Sequence, residues 1–126
     1  MIQGGAMSDS CIFCKMISGE IKSEKFHEDD EFICIRDIHP QAKTHLLVIP
    51  REHIASLDDV FPHTGRVRTE LAGRLMEAGV RIARKAGLLP GGFRCVINTH
   101  RDGGQTVDHL HMHVLGGQAL RGDFGG

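Results

Sequence analysis

His109, His111 and His113 alternate with Leu110, Met112 and Val114. In an extended strand, residues two apart share a face at a spacing of about 6.7 Å. The three imidazoles therefore line one face, and the apolar residues form the other, which is suited to packing on a helix. Burying three imidazoles without hydrogen bonds or a metal is costly, so the histidine face belongs on a cleft. Three readings fit such a row. It can be a solvated polar face, or a metal site, since His-x-His on a strand can offer two nitrogens to zinc. It can also be a catalytic row, in which one neutral imidazole attacks phosphorus while its neighbours fix its tautomer. The row alone does not separate the last two. The preceding Gly103-Gly104-Gln105-Thr106 offers backbone N–H groups and a hydroxyl where a phosphate can approach closely. Asn98, at the end of the previous apolar run, adds an amide donor. These neighbours favour an anionic ligand and the nucleophilic reading.

A second constellation is Cys11-Ile12-Phe13-Cys14. A Cys-x-x-Cys pair has several meanings. A redox role lacks the strand and loop that should precede it, while buried unligated thiols and a metal-binding pair both remain open.

The elements that must position these residues are legible from periodicity. Asp9 or Ser10 can cap a short helix whose apolar residues are Ile12, Phe13, Met16 and Ile17, ended by Gly19. Phe32–Arg36 and Thr44–Ile49 read as antiparallel strands, with Asp37-Ile38-His39-Pro40 turning between them and Pro50 stopping the second. From Gly65 to Ala86, Val67, Leu71, Leu75, Ala78 and Ile82 recur every three or four residues, which predicts one long amphipathic helix capped by Gly87. Phe93–Asn98 and Val107–Leu115 read as two further strands, separated by a tight loop at Asp102-Gly103-Gly104. The pattern is that of an α+β domain with a mainly antiparallel sheet, one long helix and one short helix.

At 126 residues the chain suits one domain. Residues 1–8 read as an expression remnant or disordered N-terminus, 9–117 as the domain and 118–126 as a C-terminal tail. A net charge of -1 supplies no basic field for a nucleic acid polymer. No apolar run approaches the roughly 20 residues a membrane span needs. Four cysteines without an export signal point to reduced thiols and a cytoplasmic setting.

His109-Leu110-His111-Met112-His113-Val114-Leu115, preceded by Gly104-Gln105-Thr106-Val107, resembles the signature of the histidine triad (HIT) superfamily. Asp37-Ile38-His39-Pro40-Gln41-Ala42, Thr44–Pro50 and His53-Ile54 resemble the family's upstream segments, so the likeness runs from about Cys11 to Gly117. Gly116-Gly117 is similar to the Hint branch of nucleoside phosphoramidases; the fragile histidine triad branch of dinucleoside polyphosphate hydrolases carries Pro-Arg there. The resemblance implies a HIT-like fold, a homodimer and a purine nucleotide substrate, with no organic cofactor. It makes His111 the nucleophile on the α-phosphorus, with His113 at the phosphate and His45 orienting the triad. Asn98, Gly104 and Gln105 would contact substrate, and Thr106, where the family often has Ser, would help protonate the leaving amine. Asp37 falls where the family binds ribose hydroxyls, and Ile12, Phe13, Met16, Ile35 and Ile38 fall around the base, with Phe13 and Ile38 the ones retained as site residues. Zinc-containing members pair such cysteines with a histidine after the Pro-Arg segment and the first of the triad, which here selects Cys11, Cys14, His53 and His109. Many Hint-branch proteins lack both cysteines.

Other functions stay in view: a dinucleoside polyphosphate hydrolase, a nucleotide-binding regulatory module with little turnover, and a metallohydrolase using the histidines as ligands. The absence of tryptophan and the sequence from Gln118 to Gly126 depart from the branch. His27, His39, His63 and His100 have no assigned task and read as surface or loop residues.

Overall fold

The computed structural model describes residues 10–122. The expected remnant at 1–8, the capping option Asp9 and the tail's last residues, 123–126, lie outside the described residues. The chain runs through α1 (Ile12–Ser18), β1 (Lys25–Glu28), β2 (Phe32–Arg36), β3 (Thr44–Pro50), α2 (Leu57–Val60), α3 (Thr69–Lys85), β4 (Phe93–Val96) and β5 (Met112–Gly116). The strands form one antiparallel sheet in the order β1-β2-β3-β5-β4. The α+β class and the long and short helices are as the sequence implies; β1 and the four-residue α2 are additional.

Both faces of the sheet are covered, which explains the unbroken apolar runs Phe32–Ile35 and Leu46–Ile49. On one face Phe32, Cys34, Leu46, Val48, Leu110, Met112 and Val114 meet Leu71, Leu75, Ile82 and Ala83 of α3. On the other, Ile33, Ile35, Leu47 and Ile49 meet Cys11, Phe13 and Cys14 at α1. Each Leu or Ile that α3 fully buries stabilises the fold by about 1.5–3 kcal/mol relative to exposure. That contact seats β5, and a Cβ at Gly79 of α3 would run into the Met112 side chain.

Four boundaries differ from the sequence reading. The cap of α1 is Cys11, whose Sγ accepts the Cys14 N–H at 3.3 Å; the expected closing residue, Gly19, is in the left-handed region at φ 87°. Helix α3 starts at Thr69 rather than Gly65, because Gly65 has φ 95° and the Arg68 N–H goes back to the Val60 carbonyl at 2.8 Å. Its end is as expected. Gly87 (φ 77°) gives its N–H to Arg84, and Leu88 gives its own to Ala83, the paired bonds of a Schellman motif. Strand β4 stops at Val96, two residues before Asn98.

The fourth difference concerns the triad. Strand β5 begins at Met112, so only His113 of the three histidines lies in the ladder. Pro50 ends β3, its carbonyl accepts a bond from His109 Nε2 at 2.8 Å, and the Leu110 N–H goes to Ile54 at 2.7 Å. Residues 107–111 therefore peel away from β3 toward the segment that follows it. The alternation survives in burial, since Leu110, Met112 and Val114 all remain in the core under α3.

Candidate active site and metal centre

His111 is buried, and its Nδ1 lies 2.8 Å from the carbonyl oxygen of His109. A carbonyl only accepts, so the hydrogen-bond network assigns the ring proton to Nδ1 and leaves the lone pair on Nε2. Phe13 and His113 each meet the ring edge-on at 5.2 Å. The imidazole is thus oriented with one unshared nucleophilic nitrogen.

His113 is fixed by a longer chain of bonds. The backbone N–H of Gln41 donates to His45 Nδ1 at 3.0 Å, so the proton of neutral His45 sits on Nε2. That Nε2 lies 2.8 Å from His113 Nδ1. His113 Nδ1 is therefore the acceptor, and its own proton is on Nε2, where it can donate to a phosphate oxygen. The register Leu47↔His113 and His45↔Leu115 makes the two histidines diagonal neighbours on one sheet face. Sequence reasoning gave His45 its place but missed the Gln41 amide, which no side-chain motif reveals.

Burial pushes His113 down to about 4, with the neighbouring His111 and His45 adding to the effect and Asp37 opposing it. Burial also lowers His45, again opposed by Asp37. Both rings are neutral at pH 7, and this has a consequence for stability. The unfolded chain takes up these protons near the ordinary value of 6.5, while in the folded chain His113 resists until about 4 and His45 is also held below its ordinary value. The native state therefore loses stability as pH falls from about 6.5 toward 4. Thermal melts across this range should show a falling midpoint, and a less steep fall in His113→Asn. Equal slopes for the two proteins would disprove the buried neutral ring.

The remaining expected residues are distributed unevenly. Met16, Ile35 and Ile38 line one cleft of about 520 Å³ together with Phe26 and Arg36, and Ile38 is 85% exposed. Phe13 is not among them: it is buried as the support beneath His109 and His111. Ile12 and Thr106 line a different cleft, of about 380 Å³, beside Cys11 and His53. Asp37 joins the turn to the triad, since its Oδ1 accepts the His39 N–H at 2.8 Å and its Oδ2 lies 3.4 Å from His45 Nε2. The β4–β5 pairing ends at Val96↔His113, two residues before Asn98.

The turn before the triad corrects one expectation. The N–H groups of Gly104 and Gln105 are bonded to Arg101 and His100 carbonyls at 3.0 Å, because residues 100–105 close as a tight turn. The Gln105 side chain is likewise engaged, donating to the Ala55 and Val107 carbonyls and accepting the His100 N–H. Gln105 braces this loop, and Gly103 is required in it, since a Cβ there would strike the Thr99 backbone. Of the unassigned histidines, His39, His63 and His100 are exposed, while His27 lies on β1.

Cys11, Cys14, His53 and His109 converge, with one ligand atom from each lying within 4.8 Å of all the others. His109 Nδ1 is 3.3 Å from Cys11 Sγ, 3.6 Å from Cys14 Sγ and 3.1 Å from His53 Nδ1, and Cys14 Sγ is 3.2 Å from His53 Nδ1. Tetrahedral zinc with ordinary bond lengths separates its sulfur and nitrogen ligands by about 3.5 Å and two nitrogens by about 3.3 Å. The set fits. His109 also gives its Nε2–H to Pro50, which turns the Nδ1 lone pair inward, as the outer partner of a metal-bound histidine does. Glu52, next to His53, is held by Arg68 through two bonds of 2.8 and 2.9 Å, and this pins the segment that carries His53.

Fold and site together define an α+β domain in which His111, just before β5, presents one free imidazole nitrogen beside a Cys2His2 cluster. A HIT domain model matches residues 18–120, and the chain belongs to the HIT family. It is 40% identical over 114 residues to the purine nucleoside phosphoramidase of Escherichia coli (strain K12), covering 90% of this chain and 92% of that protein. A histidine triad protein from Clostridium difficile superposes with a TM-score of 0.86 at 37% identity, covering 94% of this chain and 99% of that one. A zinc-bound histidine triad family protein from Mycobacterium smegmatis superposes with a TM-score of 0.71 at 36% identity, covering 91% and 78%. Among the described residues, no helix is long and apolar enough to cross a membrane.

Proposed function

We propose that this protein is a nucleotide hydrolase that cleaves purine nucleoside phosphoramidates to the nucleoside monophosphate. The observation that carries the reading is the His111 ring, whose proton is held on Nδ1 by the His109 carbonyl while Nε2 keeps its lone pair. Nε2 attacks the α-phosphorus and forms an N–P bond as the bond to the amine breaks, and the amine leaves with a proton. Positive charge then develops on the His111 ring and strengthens its Nδ1–H bond to His109. His113 donates from Nε2 to the phosphoryl oxygens as they gain charge. Water then breaks the N–P bond, releasing the monophosphate and restoring neutral His111. Asp37 is assigned to the ribose hydroxyls, the Met16, Ile35 and Ile38 cleft to the base, and Thr106 to proton delivery to the amine.

The likeness to the E. coli phosphoramidase supports this substrate class. Gly116 argues the same way against a Pro-Arg pair at 116–117. It pairs with both Thr44 and Phe93, and a Cβ there would press on Leu88 and on the Gly92 carbonyl at 3.1 Å. Zinc on Cys11, Cys14, His53 and His109 would supply a structural cross-link between α1, the segment after β3 and the triad.

The deciding experiment is a rapid acid-free quench of the protein with adenosine 5′-phosphoramidate, followed by peptide mass spectrometry. The expected result is one nucleotidyl group on the peptide carrying His111 and none on any other histidine. Turnover with no adduct, or with the adduct elsewhere, overturns the mechanism.

A further inference from the structure

The carboxylate of Asp37 is placed so that it can serve more than a sugar. Its Oδ1 accepts the His39 N–H at 2.8 Å, and its Oδ2 faces His45 Nε2 at 3.4 Å. The backbone closes the same pair, with the Asp37 N–H bonded to the His45 carbonyl at 2.9 Å. His45 cannot change tautomer to suit this neighbour, because the Gln41 N–H already occupies Nδ1. Its Nε2–H is therefore directed at His113 Nδ1, 2.8 Å away, with the negative charge of Asp37 Oδ2 beside it at 3.4 Å. A carboxylate at 37 accepts the His39 N–H with one oxygen and sets negative charge beside the His45 Nε2–H with the other, which no neutral side chain does.

Resting on the proposed hydrolase reading, we infer that Asp37 is a positioning residue for the phosphoryl-transfer step, acting through His45 to keep His113 donating from Nε2. An asparagine at 37 separates this role from simple sugar contact. Its oxygen would stay with the His39 N–H, which preserves the turn, and its NH2 group would then oppose the His45 Nε2–H, donor against donor. The His45–His113 bond shifts as a result, and His113 loses its fixed orientation. A residue that only binds ribose hydroxyls has no such effect when those hydroxyls are missing.

The experiment compares wild type and Asp37→Asn on 2′,3′-dideoxyadenosine 5′-phosphoramidate, with His45→Ala and the double variant completing a cycle. Positioning predicts that Asp37→Asn lowers kcat on this substrate by roughly tenfold, and that the loss disappears in the His45→Ala background. An unchanged kcat, or a loss that persists undiminished without His45, overturns the inference and leaves the hydrolase intact. Ring-nitrogen NMR reads the same coupling without turnover. Wild-type His45 and His113 should each be protonated on Nε2 only, and Asp37→Asn should disturb both. Identical spectra refute the coupling, while normal coupling in a protein that cleaves no phosphoramidate refutes the hydrolase reading alone.

Discussion

Replacing His111 by alanine lowers kcat for adenosine 5′-phosphoramidate by at least about 10⁴-fold, while AMP binding measured by calorimetry survives. A loss of that size is more than about 5 kcal/mol of transition-state stabilisation, which is the scale of removing a nucleophile rather than an orienting group. The ring that is lost has one nitrogen committed to the His109 carbonyl and the other free, and no neighbour duplicates that arrangement. His113 has its Nδ1 occupied by His45 and carries a proton on Nε2, so it cannot substitute as the attacking group. His109 has Nε2 bonded to Pro50 and Nδ1 turned into the cysteine cluster. The ranking of the variants follows from the same bonds. His113→Ala removes one donor and should cost about 10²–10³-fold, clearly less than His111→Ala. Turnover by His111→Ala within tenfold of wild type, in protein that melts cooperatively, removes the basis for the mechanism.

The division of labour among the three histidines shows how far the sequence could be read. Alternation of His with Leu, Met and Val marked one functional face and one core face, and the core face is where it was expected, under α3. The same pattern implied a strand across all three histidines, yet the ladder reaches only His113. What interrupts it lies some 60 residues earlier, in Pro50 and Ile54, whose carbonyls take up His109 and Leu110. Periodicity is a local signal and cannot report a distant backbone partner. Strand β1 was missed for a different reason. It sits at the sheet edge with Phe26 as its one large apolar residue, and its turn is made by Asp29, whose Oδ1 accepts the Glu31 and Phe32 N–H groups. The Gly103-Gly104 loop reads as a source of free N–H donors because glycines permit close approach, but the Gly104 and Gln105 amides close the turn itself. Composition identifies a turn more readily than it identifies which of the turn's donors remain unshared.

The cysteine cluster carries the second large effect. Protein purified without added metal should contain about one zinc per chain by atomic emission, and Cys14→Ser should contain close to none. Cys14 is the ligand to choose, because Cys11 also caps α1 and its replacement would confuse metal loss with helix loss. Without the ion, the four ligand atoms still crowd within 4.8 Å of one another, with two ring nitrogens 3.1 Å apart. A metal that binds only the folded chain, present at a hundred to a thousand times its Kd, adds about 3–4 kcal/mol of stability. For a domain of this size that corresponds to roughly 10 °C or more in Tm. Stripping zinc with a chelator should lower Tm of the wild type by that amount and leave Cys14→Ser unmoved. Activity should follow stability rather than metal content, since the cluster touches catalysis through the supports of His111, the His109 carbonyl and the Phe13 ring. At a temperature where the stripped protein remains folded, turnover should persist at a reduced rate, which separates a structural cross-link from a catalytic ion. Zinc content near zero in both proteins, with equal melting points, leaves the four residues as a buried hydrogen-bonded cluster and removes the metal from the account.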